Sequence, residues 1–312
     1  MKKIKIDFSD FWEGFDKSDN FLYNLLRTRF DVELSSEPDF LIYSNYGTNF
    51  YKYKCVRVFY SRENERPDFF ACDWAITSDI IHRRNHFNFP VFGSRYRYPN
   101  LLNQNPDSLF EKWLKKSEFA SFVVSNGKSQ KRIEFFQHFN AAGYRKVNSG
   151  GRFLNNIGGA VDDKDSFLKN HRFNIAFENS AYPGYTTEKI YDAFIAGCIP
   201  IYWGDPLVDR YFNPKSFINY SDFKTEADLI EYLIYLDKNP SEAKKYFQES
   251  VFNTDKIPEC LATENLLTFF ELIFNSKVIP VSNSKWKRAA HVLHIKFKRI
   301  VKHLFNYPED FR

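Results

Sequence analysis

Residues 173–206, FNIAFENSAYPGYTTEKIYDAFIAGCIPIYWGDP, decide the fold. Phe173-Asn174-Ile175-Ala176-Phe177 is an apolar run of the length of a buried strand rather than a helix. Turn-forming residues follow, Glu178-Asn179-Ser180 and then Pro183-Gly184. Thr186 or Thr187 can cap a following helix. In that helix Ile190, Ala193, Phe194 and Gly197 recur at i, i+3, i+4 and i+7, a single apolar or small-residue face. Ile199-Pro200-Ile201-Tyr202-Trp203 reads as a second strand, closed by a Gly204-Asp205-Pro206 turn. Strand, loop, helix and strand make a βαβ unit, so the chain is α/β with a parallel sheet.

Lys189 is badly placed for stability. It falls in the first helical turn, where the macrodipole disfavours a cation by ~0.3–1 kcal/mol. Two readings are open: the lysine and the helix N-terminus wait for an anion such as phosphate, or Lys189 pairs with Asp192 and points into water.

The same stretch resembles the donor-binding motif of bacterial α1,3/4-fucosyltransferases, glycosyltransferase family 10. The residues that carry the resemblance are Phe177-Glu178-Asn179, Tyr185, Thr187-Glu188-Lys189, Ile199-Pro200 and Gly204, continued by Asn213-Pro214-Lys215-Ser216-Phe217. The resemblance spans roughly residues 55–275. It implies a GT-B architecture, two Rossmann-like domains facing across a cleft. It also implies inverting transfer of L-fucose from GDP-β-L-fucose, with Asn179, Tyr185, Glu188 and Lys189 as donor contacts. Glu178 either joins them or orders the loop.

Working outward, residues 3–8 alternate charge and hydrophobe, as a first strand does, and residues 40–43 and 56–60 are further strands. A helix is expected over residues 21–30, and Trp12 stands in the loop before it. Trp12 is read as a core residue, its rival role being an acceptor-binding platform for a sugar ring. After the strand ending at Tyr60 comes Ser61-Arg62-Glu63-Asn64-Glu65. Ligands of open α/β sheets bind beyond the carboxyl ends of strands, and a carboxylate there is placed to act as general base on a sugar hydroxyl. Chemistry alone does not choose between Glu63 and Glu65. The Tyr60-Ser61-Arg62-Glu63-Asn64 run resembles the family pattern whose base precedes Asn, which carries the catalytic role to Glu63. The family often has Gly where Arg62 stands. Residues 80–105, with Arg95-Tyr96-Arg97-Tyr98-Pro99, read as irregular connection.

Residues 119–124 begin a second domain as a buried strand, and residues 130–139 form a helix with Ile133, Phe136 and Phe139 inward. Arg132 lies in its first turns, and arginine suits bidentate contact with phosphate. The resemblance makes Arg132 rather than Lys131 the donor-phosphate arginine. Asp163-Lys164-Asp165 spells the DxD metal motif of another glycosyltransferase class, but no good strand precedes it, and we expect no metal site. Residues 221–274 read as helices closing the second domain. The expected domains are 1–105, acceptor-binding; 106–275, GDP-fucose-binding; and 276–312, a basic tail.

In that tail Trp286, Ala290, Leu293, Phe297, Ile300 and Leu304 form an apolar stripe among Lys and Arg. Nine Lys/Arg against two acids stand in residues 277–312, so the net +5 of the chain resides there and the rest carries −2. A basic amphipathic helix suits an anionic membrane surface; docking on the protein's own core and a nucleic-acid contact are the rivals. No nucleic-acid module accompanies the tail, so no nucleic-acid partner is expected.

The 35 Phe and 19 Tyr are expected mainly in cores. Four scattered cysteines fit a reducing compartment, and neither a signal peptide nor a membrane span is expected. The expected location is therefore cytoplasmic, peripheral on the inner membrane face. The expected partners are GDP-fucose and an oligosaccharide or glycolipid acceptor such as Galβ1-4GlcNAc in a surface glycan. No cofactor is required, a divalent cation being at most a stimulant. A transferase using another GDP-sugar, and a membrane-associated nucleotide-binding module without turnover, are the alternatives.

Overall fold

The computed structural model describes residues 3–94, 101–102, 104–254 and 256–305; the side chains of residues 288, 295 and 298–305 are not described. The expected loop at Arg95-Tyr96-Arg97-Tyr98-Pro99 and the side chains of Ile300 and Leu304 lie outside the described part.

Two compact units divide the chain, residues 1–94 with 259–312, and residues 95–258. The first carries strands β1 (Ile4–Ser9), β2 (Val32–Leu34), β3 (Phe40–Tyr43), β4 (Val56–Tyr60), β5 (Trp74–Thr77) and β6 (His86–Asn88) in one sheet, in the order β2-β1-β3-β4-β5-β6. Every pairing is parallel. Three of these strands, β1, β3 and β4, stand where the sequence pattern puts them; β2, β5 and β6 are not among the strands expected from the sequence. The helix after β1 is Phe21–Leu26, shorter than expected.

Alternation along the strands sends side chains to two cores. Ile6, Phe8, Ile42, Val58 and Ile76 face one side with Leu22 and Leu26. Leu41, Tyr43, Phe59 and Ala75 face the other with Phe50. A parallel sheet covered on both faces gives runs such as β4, buried at all five positions.

The helix Thr263–Phe274 corrects the expected domain boundaries. It was expected to close the second domain, yet its Leu266, Leu267, Phe269, Phe270 and Ile273 pack into the first unit's core. Trp74 meets Phe269 edge-on at 5.5 Å. Helical periodicity shows that a face is buried, not which sheet covers it. The return continues with the Val281 amide donating to the Asp73 carboxylate at 2.8 Å. The tail is the helix Lys285–Phe305.

The second unit carries β7 (Glu118–Phe122), β8 (Val147–Ser149), β9 (His171–Phe177), β10 (Ile199–Trp203) and β11 (Ile218–Asn219), all parallel, in the order β11-β10-β9-β7-β8. β9, the helix Glu188–Ile195 and β10 are the βαβ unit read from residues 173–206. The aromatic excess is spent here on packing: Phe119, Phe122, Phe135, Phe139, Phe173 and Phe177 are each at most 1% exposed. Each such burial stabilises by ~1.5–3 kcal/mol. In the helix Gln130–Ala141 Phe135, not Ile133, turns inward with Phe136 and Phe139. Asp163 caps the helix Lys164–Lys169, accepting from the Ser166 amide at 3.1 Å, a structural use for the DxD aspartate. Among the described residues no helix is long and apolar enough to cross a membrane.

Candidate active site

Strand order marks a switch point in each unit. In the second, the chain passes from β7 to β8 on one side and returns to place β9 on the other. Loops leaving the carboxyl ends of β7 and β9 therefore splay apart, and such switch points are where open α/β sheets bind ligands. Arg132 stands on the helix after β7 and Asn179 in the loop after β9. They meet across this point, Arg132 Nη1 donating to Asn179 Oδ1 at 2.8 Å. Nη2 donates to the Asn126 carbonyl at 2.7 Å. Arg132 is 2% exposed, and its Nε has no partner.

A buried guanidinium whose hydrogen-bond partners are all neutral is costly, because its lost hydration is only partly offset. Burial lowers its pKa, opposed first by the nearby Glu178 carboxylate, and an arginine stays charged. Tyr185 is buried too, 2% exposed.

Lys189 does not pair with Asp192. Asp192 is taken by Lys164 at 2.7 Å. Lys189 Nζ instead donates to Glu178 Oε2 at 3.0 Å and to Thr187 Oγ1 at 2.9 Å. Glu178 is fully buried. Its carboxylate also accepts the Thr187 amide at 2.7 Å and the Thr187 hydroxyl at 2.6 Å. Thr187 is the N-cap residue but makes no capping bond with its own side chain, because its hydroxyl is given to Glu178. Burial works against the Lys189 ammonium, yet Glu178 and Glu188 outweigh it and the pKa is raised. Glu188 opens the helix with its carboxylate 3.8 Å from Lys189.

Glu178 thus orders the loop, as one of its two readings had it. Gly204 permits this, since a Cβ there would lie 2.4 Å from Glu178 Cγ. Asp205 holds the other end of the loop, accepting from the Gly184 amide and the Thr186 hydroxyl, both at 2.8 Å. Asp205 was missed in the sequence; its place directly after a strand, two residues from its end, is the signal that marks it.

In the first unit the switch point lies between β1, followed by its helix and β2, and β3. Trp12 stands in the loop after β1 and Glu63 in the loop after β4. Trp12 is 39% exposed, so the core reading gives way to a surface position. Phe15 at 5.1 Å and Tyr46 at 6.3 Å meet its ring edge-on. Tyr46, also missed, donates its hydroxyl to Glu63 Oε1 at 2.9 Å. Burial and the Glu63 charge raise the Tyr46 pKa, so the phenol stays a donor. Trp12, Tyr46 and Glu63 therefore form one cluster, and Glu63 Oε2 is the oxygen that Tyr46 leaves free.

Comparison with known proteins identifies the family. Residues 6–96 match the alpha-(1,3)-fucosyltransferase FucT N-terminal domain, and residues 113–259 match the glycosyltransferase family 10 (fucosyltransferase) C-terminal domain. The chain is 30% identical over 331 residues to the alpha-(1,3)-fucosyltransferase FucT of Helicobacter pylori, covering 90% of this chain and 68% of that one. A fucosyltransferase of Bos taurus, 3-galactosyl-N-acetylglucosaminide 4-alpha-L-fucosyltransferase FUT3, is 32% identical over 137 residues, 43% of this chain and 36% of its own. A crystal structure of an alpha1,3-fucosyltransferase with GDP superposes with a TM-score of 0.76 at 28% identity, covering 90% of this chain and 93% of that one. Another, with GDP-fucose, gives 0.75 at 28% identity, covering 89% and 92%. The α/β class and GT-B type expected from the sequence are thus borne out. The chain belongs to glycosyltransferase family 10, the fucosyltransferases.

Proposed function

We propose that this chain transfers L-fucose from GDP-β-L-fucose to a hydroxyl of a glycan acceptor with inversion, O3 of GlcNAc in a Galβ1-4GlcNAc-type acceptor being the expected site. The observation that carries the donor side is Arg132, a buried guanidinium that no carboxylate pairs with among the described residues, at the switch point of the second sheet. A diphosphate supplies the directly paired anion it lacks. Solved relatives hold GDP and GDP-fucose, which supports that donor.

In the proposed reaction Glu63 Oε2 takes the proton of the acceptor hydroxyl as that oxygen bonds to the anomeric carbon. The bond from the anomeric carbon to the β-phosphate oxygen breaks, and its electron pair leaves with GDP. Arg132, Lys189 and the N-terminus of helix Glu188–Ile195 stabilise the charge that develops there. Asn179, Tyr185 and Glu188 contact the donor. With these cations in place the reaction needs no metal, and a divalent cation acts only as a stimulant. Trp12 lies on the acceptor side with Glu63.

The tail helix supports a peripheral membrane role on the cytoplasmic face, where surface glycans such as lipopolysaccharide are assembled. His291 turns inward, 9% exposed, and pairs with Asp68 at 2.6 Å. Trp286, Leu293 and Phe297 are each 65% exposed. Three of the four described stripe residues therefore face outward, flanked by lysines.

The test is GDP release with GDP-fucose, with and without N-acetyllactosamine, in wild type and Glu63→Gln. Turnover is expected to fall at least ~100-fold with GDP affinity retained, since a positioned base contributes ~10²–10⁴-fold. Near-full activity in Glu63→Gln excludes it as the base.

A further inference from the structure

A second feature of the first unit lies beside Glu63. A cavity of about 280 Å³ is lined by Trp12, Phe15, Asp16, Asp19, Tyr60 and Arg62. Sites for drug-sized ligands are ~300–1,000 Å³, so this one suits a single ring rather than an oligosaccharide.

Its walls are held in place. Asp10 adopts a left-handed conformation with φ 59°, and its carboxylate accepts the amides of Asn49 at 2.8 Å and Phe50 at 2.7 Å. Gly47 leaves the room for it, because a Cβ there would sit 2.3 Å from Asp10 Oδ1. This clamp ties the loop carrying Trp12 to the loop after β3. Phe11 and Phe15 stack at 4.0 Å, and each meets the indole edge-on.

Arg62 follows β4 directly and precedes Glu63. Its Nε is shielded from solvent without a partner, and among the described residues no carboxylate pairs with it. Its charge reaches the hydroxyls of Tyr46 and Tyr60; burial pushes Tyr60 up to about 12 against that charge. Two carboxylates stand exposed on the same cavity, Asp16 and Asp19. Asp16 Oδ1 accepts the Ser18 amide and hydroxyl, both at 2.7 Å, and Oδ2 takes no part in these bonds. Fixed donors, fixed acceptors and an indole on one small cavity match a neutral sugar, whose hydroxyls both donate and accept and whose C–H face is apolar. An anion gains little there, because the two aspartates offset the guanidinium.

We propose that this cavity seats the neutral sugar ring linked to the ring that receives fucose, with Arg62 and Trp12 setting the preference for a disaccharide over a monosaccharide acceptor. The inference rests on the acceptor reading of Glu63 given above. The geometry ties the two, since Trp12 touches Tyr46 and Tyr46 bonds Glu63.

The kinetic test compares kcat/KM for N-acetyllactosamine with that for N-acetylglucosamine. Wild type is expected to favour the disaccharide, and Arg62→Ala or Trp12→Ala to lower the ratio at least tenfold through KM. Arg62→Lys, which keeps the charge and loses the planar fork, is expected to fall between. A ratio within twofold of wild type, or a loss confined to acceptors bearing a carboxylate, overturns the proposal. A parallel reading is independent of turnover: saturation-transfer NMR with lactose on the wild-type chain and on both alanine variants, with melting curves to establish folding. Sugar signals in wild type that vanish in folded variants support the subsite; their absence in wild type, or persistence in the variants, overturns it. Lactose binding without GDP release on either acceptor sinks the transferase reading while leaving the sugar subsite standing.

Discussion

Glu178 joins three roles in one side chain. It holds the N-cap residue Thr187, neutralises Lys189 and fixes the loop that presents Asn179 to Arg132. Removing one partner of a buried ion pair costs ~3–5 kcal/mol, because the other charge stays buried and unmatched. Glu178→Ala is therefore expected to lose that much stability in denaturant titration and to weaken GDP binding at least tenfold. Lys189→Met is expected to lose GDP affinity while removing less stability than Glu178→Ala, since Lys189 keeps 18% of its side chain exposed and Glu178 none. Equal affinity in wild type and both variants would show that this cluster serves folding alone.

His86 offers a residue-scale pH prediction. It is 7% exposed on β6, its Nε2 is 2.9 Å from Thr77 Oγ1, and burial lowers its pKa from 6.5 to about 4. The unfolded chain therefore binds a proton between pH 6.5 and about 4 that the folded chain refuses. Stability is thus fully present above pH 6.5 and falls as pH drops through that window. Between pH 7 and pH 5 wild type is expected to lose about 2 kcal/mol more than His86→Gln, each pKa unit being worth ~1.36 kcal/mol. Parallel curves for the two proteins in urea would contradict the buried neutral imidazole.

At the scale of elements, two packing contacts make opposite claims on the sheets. Gly204, after β10, must lack a Cβ because Glu178 Cβ and Cγ lie 2.6 and 2.4 Å from where it would stand. Gly204→Ala is expected to cost ~1–3 kcal/mol by overpacking and to weaken GDP binding while the second sheet stays folded. Phe270 belongs to the helix Thr263–Phe274 and is fully buried against the first sheet. Phe270→Ala is expected to cost ~3–5 kcal/mol. Hydrogen exchange should show β1, β3 and β4 losing protection first. Loss confined to β7, β9 and β10 would mean that this helix supports the second sheet after all.

The whole molecule has a basic end and a slightly acidic remainder. Its tail helix is tethered at His291 and leaves Leu293 and Phe297 outward. Leu293→Ser with Phe297→Ser is expected to reduce co-sedimentation with anionic vesicles several-fold without changing transfer to a soluble acceptor. Unchanged sedimentation would assign the exposed stripe to another partner. Truncation for such a test belongs beyond His291, because Val281 and Ser282 are buried in the first unit.

Residues close in sequence revealed themselves early. The βαβ unit at 173–206, the three strands β1, β3 and β4, and the cations at two helix starts follow from periodicity and turn chemistry, which act over a few positions. Partners far apart in the chain did not. That Asp73 holds Val281, that Tyr46 reaches Glu63, that Glu178 rather than Asp192 pairs with Lys189, and that residues 263–274 return to the first sheet all needed the folded chain. A hydrophobic face or an unpaired charge announces its need for a neighbour through local pattern. Which neighbour meets that need is settled by strand order and chain return, and no local pattern encodes them.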